Sequence, residues 1–246
     1  MTARLAHIFR HPIKGIGSES LTTADLSPDR ALAGDRAWAL LNAAADDVDT
    51  WQRRRNFLQV ASGPDLSAVT SQQHGDSRIT LRHPTQPDLT FDPTAEADAL
   101  RAWVTPLWDS ARPGPARLVR APGHGMTDMP DPWVSLGSLT TLTALSQRAG
   151  RPLDMRRFRI NLWVEGLDLL QEAELVGRQI TVGAVTLEVT EPIERCRAPD
   201  ADPATGKRDI GMLPLLEDSW NTRDFGIYAK VLTTGSVALD DPVTLQ

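Results

Sequence analysis

Cys196 is the only cysteine in the chain, and it stands in the run Glu194–Arg195–Cys196–Arg197, followed by Ala198 and Pro199. A lone cysteine is ordinarily a small buried hydrophobe, but this run is not apolar. Guanidinium groups on both sides favour the thiolate, the form that attacks electrophiles and binds soft metals. Upstream, the alternation from Arg157 to Glu165 predicts a strand. That would place Arg157, Arg159 and Asn161 on one face, with Phe158 and Ile160 on the other. Two guanidiniums and an amide so arranged would clamp a planar, phosphorylated ligand; the plainer alternative is a solvated face with surface ion pairs. Lys14 lies in a Pro–Ile–Lys–Gly turn of a chain whose only other lysines are Lys207 and Lys230. A lysine there is ordinarily just solvated, and Asp35–Arg36 reads as a turn ion pair of little worth. Ser138 caps a predicted helix over 139–148, and a helix N-terminus offers free N–H groups to a phosphate.

The elements that must position these residues are mostly strands. Residues 3–9, 20–26 and 36–41 read as strands separated by turns rich in proline and glycine. Residues 50–61 read as a strand entered through the arginine cluster Arg53–Arg54–Arg55. A hairpin is predicted from 79–81 and 89–91, and a second from 179–182 and 185–189 through Gly183. Helices are predicted over 93–108, with Thr94 as cap, over 139–148, and over 210–220, broken near Pro214. Closing strands fall at 225–232 and 237–243. The stretch APGHGMTDMPDP (121–132), dense in glycine, proline and aspartate, is the best linker and holds His124, which reads as a loop residue. The reading is two domains, 1–120 and 121–246.

Composition narrows the function. The 246 residues carry 26 Lys+Arg against 32 Asp+Glu, a net charge of −6, which argues against a nucleic-acid binder with a basic face. No apolar run approaches a membrane span and no signal-peptide core opens the chain. One cysteine excludes an internal disulfide and a four-cysteine iron–sulfur cluster, and suits a reducing, cytoplasmic location. The five histidines show no zinc spacing, and there is no phosphate-loop or dinucleotide-binding glycine motif.

Several motifs together resemble a known family. They are RFRIN (157–161), the run Gly177–x–x–Ile180–x–Val182–Gly183–x–Val185–x–Leu187, the Arg195–Cys196 pair after Pro192, and the Asp202–Pro203–x–Thr205–Gly206 turn. They resemble the MOSC domain found at the C-terminus of molybdenum cofactor sulfurases. HPIKGIGSESL (11–21) and LAGDRAWALLN (32–42) resemble the β-barrel domain that often precedes it. The resemblance covers nearly the whole chain and implies a mainly β fold with some helices (α+β), a MOSC β-barrel domain after a smaller β-barrel-like one. It implies a site for molybdenum cofactor (molybdopterin), with Cys196 as metal ligand and catalytic residue. It places Arg159 and Asn161 at the pterin, Lys14 near the cofactor, Arg36 at its phosphate and Ser138 at a helix N-terminus beside it; Arg157 and Arg195 are expected with them. The implied reaction is reduction of a small N-hydroxylated or N-oxide substrate, with electrons from a separate ferredoxin- or cytochrome-type protein. Asp200 is then a candidate proton donor to the leaving hydroxyl. The alternative is a cofactor carrier, or a sulfur-transfer module bearing a persulfide on Cys196. No aminotransferase-like portion precedes the motifs, so a whole sulfurase is not expected. His11 stands where that family often has tyrosine, and Asp240–Asp241 where it often has Gly–Asp.

Overall fold

A computed structural model describes residues 3–46, 51–75, 77–121, 123 and 125–245. His124 and Thr50 lie outside the described residues. The fold is mainly strands with a few helices. Its largest sheet has eight strands, in the order Val243–Leu245, Gln179–Val182, Val185–Glu194, Asp224–Val231, Val134–Ser138, Leu162–Glu165, Arg4–Arg10 and Glu19–Leu21. All neighbours are antiparallel except Val134–Ser138 and Leu162–Glu165, which are parallel and joined through the helix Leu139–Arg148.

The first strand closes this sheet on itself. Arg4 bridges Pro242, the Val243 N–H donates to the Ala3 carbonyl at 2.8 Å, and the Leu5 N–H donates to the Asp241 carbonyl at 2.9 Å. Closure leaves seven strands without a free edge and creates an interior. Alternate residues fill it: Leu5 and Ile8, Leu136, Leu162 and Val164, Ile180 and Val182, Leu187 and Val189, Ile227, Ala229 and Val231 are all buried. Each such leucine, isoleucine or valine stabilises the fold by about 1.5–3 kcal/mol. Thus the barrel draws its first strand from the N-terminus and the rest from residues beyond 133.

A second core lies between the three-stranded sheet Ile13–Lys14, Trp38–Asn42 and Pro115–Arg120 and the meander Thr70–Gln73, Ile79–His83 and Gln86–Phe91. The helix Ala97–Val104 packs there, burying Leu100, Trp103 and Val104. Among the described residues no helix is long and apolar enough to cross a membrane.

Several expected elements take another form. The strand expected over 20–26 splits into Glu19–Leu21, paired with the first strand, and Thr23–Leu26, paired with Gly235–Ala238. The strand expected over 237–243 splits too. Asp240 takes a left-handed φ of 68°, and the Asp241 carboxylate accepts from the Ala238 N–H at 2.7 Å, making a turn. Residues 53–57 form a short 3-10 turn, Arg54–Asn56, tied by Asn56 Nδ2 donating to Gln52 Oε1 at 2.7 Å, with one bridge from Leu41 to Phe57. The first helix starts at Ala97, not near Thr94, whose N–H and hydroxyl both donate to Asp92. Pro214 sits in the first turn of the helix Met212–Trp220, where it lacks no needed N–H, and the helix is unbroken.

Candidate active site

Where the two cores meet, a cleft of about 600 Å³ opens. Lys14, Arg36, Arg157, Arg159, Asn161, Arg195 and Cys196 all line it. They come from four stretches far apart in sequence. Cys196, half-buried, follows the long strand Val185–Glu194.

Lys14 is held in the parallel pair of Ile13–Lys14 and Trp38–Asn42. Gly15 then turns the chain with φ of 72°; a Cβ there would lie 2.6 Å from the Leu58 carbonyl oxygen. The Lys14 ammonium is buried. It donates to the Met126 carbonyl at 2.9 Å and to the Asp128 carboxylate. Burial pushes its pKa below the ordinary lysine value, with Asp128 acting the other way.

Arg36 and Arg159 share an uncommon backbone state. Both take left-handed conformations, with φ of 48° and 50°, at a cost of about 1–3 kcal/mol each. The strain points both guanidiniums to one place. Arg36 Nη2 donates to the Arg159 carbonyl at 2.9 Å, and Arg159 Nη1 donates to the Gly17 carbonyl at 2.9 Å. Asp35 and Arg36 are not a solvated turn pair. Asp35 is buried, accepts from Arg36 Nη1, and accepts from the His11 N–H at 2.7 Å. Burial, then the neighbouring Arg159 and Arg36 charges, depresses the His11 pKa to about 3, so its imidazole is neutral. Burial and Arg36 together press the Arg159 guanidinium down to about 9. Cations crowded in this way gain from an anion placed between them.

The expected strand face of Arg157 and Arg159 does not exist. The Asp154 carboxylate accepts from the Arg156 N–H at 2.8 Å and caps a 3-10 turn over Met155–Phe158, so the two arginines diverge. Arg157 is buried and forms a two-pronged pair with Asp209, at 2.8 Å on each prong. It also donates to the Pro199 carbonyl at 3.2 Å, but its Nε has no partner among the described residues. Arg157 therefore latches the loop after Cys196.

Arg195 is committed as well. It donates to the carbonyls of Phe225 and Phe158 and lies over both rings, which stack at 4.0 Å. Burial pushes its pKa down to about 10. Gly226 leaves room for this approach; a Cβ there would lie 3.3 Å from Arg195 Nη2. The Asn161 amide is spent on the frame, accepting from the Ser135 hydroxyl at 2.9 Å and donating to the Phe9 carbonyl at 3.1 Å.

Ser138 does not line the cleft. It is fully buried, and its Oγ accepts from the Thr141 N–H at 3.3 Å, capping the helix Leu139–Arg148. The buried Glu172 carboxyl, whose pKa burial raises, accepts from the Thr141 hydroxyl at 2.9 Å, so the helix terminus already has an acidic side chain of its own. Asp200 is also outside the cleft lining. One carboxylate oxygen accepts from the Met212 N–H at 2.9 Å at the start of the last helix, and the other accepts from Arg197.

The lining also includes residues given no site role from sequence, among them Trp51, Arg53–Arg55, Asp128, Trp133, Ser135, Glu191 and Tyr228. The QRRRN run and the single tyrosine were visible signals. Their convergence depends on sheet register, which one-dimensional patterns do not carry. A more open groove of about 710 Å³ along the helix Leu139–Arg148 contains none of the residues named for chemistry.

The donor set suits a metal whose other ligands arrive with it. No group of three or more His, Cys, Asp or Glu side chains among the described residues could hold an ion alone. One thiolate beside buried cations and an orphaned arginine N–H fits a metal carried by an anionic, sulfur-bearing cofactor.

Two family models match, the MOSC N-terminal beta barrel domain over residues 2–114 and the MOSC domain over residues 124–244. Molybdenum cofactor sulfurase of Caenorhabditis briggsae is 24% identical over 258 residues, covering 92% of this chain and 33% of that protein. The Caenorhabditis elegans protein of the same name is 23% identical over 252 residues. The chain thus spans about a third of the length of these relatives. Among solved structures, the YuaD protein from Bacillus subtilis is 12% identical, covers all of this chain and 96% of its own, and gives a TM-score of 0.49. YiiM from Geobacillus stearothermophilus is 20% identical over 46% of this chain and 53% of its own, with a TM-score of 0.37. With the two domain models covering nearly its whole length, this chain belongs to the MOSC family, with an N-terminal MOSC β-barrel domain before the MOSC domain.

Proposed function

We propose that the chain binds molybdenum cofactor in this cleft and reduces N-hydroxylated or N-oxide compounds with electrons from a separate ferredoxin- or cytochrome-type protein. One observation carries the reading: the sole cysteine shares a cleft with Lys14, Arg36 and Arg159, and both arginines are held there in left-handed backbone. Strain kept at two cationic residues marks a site where their placement matters. When bound, the cofactor supplies the metal at which the two-electron reduction takes place. Cys196 sulfur is the ligand from the protein. Arg36, Arg159 and Lys14 hold the phosphate and pterin, and buried Asp35 fixes the direction of Arg36. Arg157 and Arg195 act one step back, holding the two sides of the Cys196 segment.

The alternative, a cofactor carrier or sulfur-transfer module, is favoured by two observations: the relatives are molybdenum cofactor sulfurases, and Cys196 is partly exposed. The test is metal and pterin analysis of protein made in a host that makes the cofactor, together with hydroxylamine reduction, for wild type and Cys196→Ala. Near-stoichiometric metal and pterin, with reduction lost in the variant, is the expected outcome. Full reduction by Cys196→Ala removes the metal-ligand role. Protein without metal or pterin, and with one extra sulfur atom on Cys196 by mass, makes sulfur transfer the function.

A further inference from the structure

The reduction just described breaks an N–O bond and releases the oxygen as water. Two electrons come one at a time from the donor protein; with an N-hydroxyl substrate one proton goes to nitrogen and one must reach the departing oxygen, and with an N-oxide both protons go to oxygen. Hydroxide leaves poorly, so that last proton has to be delivered as the bond breaks. Most polar groups lining the cleft are otherwise engaged. The Thr127 hydroxyl donates to Met129 and the Ser135 hydroxyl to Asn161. Lys14 is bound to Asp128 and Met126. Guanidiniums do not give up protons at neutral pH. Asp200 is outside the lining and caps a helix.

We propose that the phenol of Tyr228 donates this proton. Tyr228 is the only tyrosine in the chain and lies mid-strand in Asp224–Val231. Its neighbours Ile227 and Ala229 point into the barrel, so Tyr228 stands on the outer face, on the cleft wall. Register sets it opposite Glu191 on one side and Ser135 on the other. The Trp133 ring packs against it at 6.0 Å. Its hydroxyl has no hydrogen-bond partner among the described residues, which leaves it free for a ligand. Glu191 is on the strand that leads to Cys196, so the phenol and the sulfur face the same space.

The charges around Tyr228 suit both halves of the transfer. Burial first, then Asp128 and Glu191, raises its pKa above the ordinary phenol value, so it is protonated at neutral pH. Arg195 and Arg36 act the other way and stabilise the phenolate left after donation. Water in the cleft then reprotonates it.

The inference rests on the reductase reading, and the test separates the two. Cofactor-loaded wild type and Tyr228→Phe are compared on a free N-hydroxyl substrate and on an O-sulfonated analogue, whose leaving group needs no proton. A general acid contributes roughly 10²–10⁴-fold. Tyr228→Phe should lose about that factor in kcat on the first substrate and little on the second, with unchanged metal and pterin content. Independently of activity, isotope-labelled tyrosine gives one ζ-carbon signal, which should report a phenol at neutral pH. Equal losses on both substrates, no loss on either, or a phenolate signal would overturn the inference and leave the reductase reading standing. A wild type inactive on both substrates would remove both.

Discussion

The latch between Arg157 and Asp209 should be worth several kcal/mol and should govern access to Cys196. The perturbation is Asp209→Ala. Arg157 has 3% of its side chain exposed and puts two hydrogen bonds of 2.8 Å onto one carboxylate. Partial burial works against Asp209, yet the Arg157 hydrogen bonds and charge keep its pKa below the ordinary carboxylate range. Removing the carboxylate leaves a buried guanidinium whose Nε is already unpartnered. Breaking a buried pair in this way costs about 3–5 kcal/mol. Asp202, 3.8 Å from Arg157, can turn in to compensate, which favours the lower end. A loss of about 3 kcal/mol lowers Tm by roughly 6–12 °C in a chain of this size.

Two assays check this together. Denaturant unfolding gives the stability change. Alkylation by a neutral thiol reagent gives the exposure of Cys196, with no background from other thiols because there are none. Asp209→Ala should unfold earlier and label faster, since Arg157, which anchors the Ala198–Asp200 turn at the Pro199 carbonyl, loses the carboxylate that fixes it. Arg151 also pairs with Asp209, at 3.0 Å, but its side chain is 40% exposed, so Arg151→Ala should cost under about 1 kcal/mol. If Asp209→Ala stays within about 0.5 kcal/mol of wild type and labels at the wild-type rate, Arg157 is not a latch.

Two shorter predictions concern residues set around the cleft. Ser138→Ala should cost about 1 kcal/mol of stability through the lost cap, and leave metal and pterin content unchanged, because Ser138 is outside the cleft; a fall in cofactor content would return it to the site. His11 has a folded pKa depressed to about 3, so between that value and its unfolded value the unfolded chain binds the extra proton. Stability therefore falls as pH drops below about 6.5, and His11→Phe should flatten that part of a Tm-against-pH curve; an unchanged slope would place the acid sensitivity elsewhere.

Much of the fold was legible because it obeys local rules. The hairpins at 79–91 and 179–189 and the helix at 139–148 appear where alternation, turn residues and a serine cap put them. The cleft members Lys14, Arg36, Arg159, Asn161 and Cys196 were likewise marked by residue type and motif. What escaped was set by partners distant in sequence. Alternation at 157–160 suggested a strand, but the Asp154 cap and the left-handed Arg159 override it. Ser138 looked open to phosphate because nothing near it in sequence reveals Glu172. Tyr228 stood out only as the single tyrosine, since its place in the cleft follows from the register of three strands.

The same dependence on distant partners explains why the site needs both ends of the chain. The strand Arg4–Arg10 closes the barrel by pairing with Leu162–Glu165 and bonding to 241–243. Lys14 follows four residues after that strand ends, and Arg36 is drawn to the same corner through His11, whose carbonyl accepts from the Arg36 N–H at 2.6 Å. The strand that completes the hydrophobic interior thereby carries the cleft's cations to the barrel wall that bears Tyr228 and leads to Cys196. Stability of the closed barrel and placement of the cations are one structural condition. Asn161, which joins the Phe9 carbonyl of the first strand to Ser135 on the wall, holds that condition in place. The arginines divide along the same line: Arg157 and Arg195 hold the two sides of the Cys196 segment, while Arg36 and Arg159, in left-handed backbone, line the cleft and bond to Asp35 and to the carbonyls of Arg159, Gly17 and Ile13.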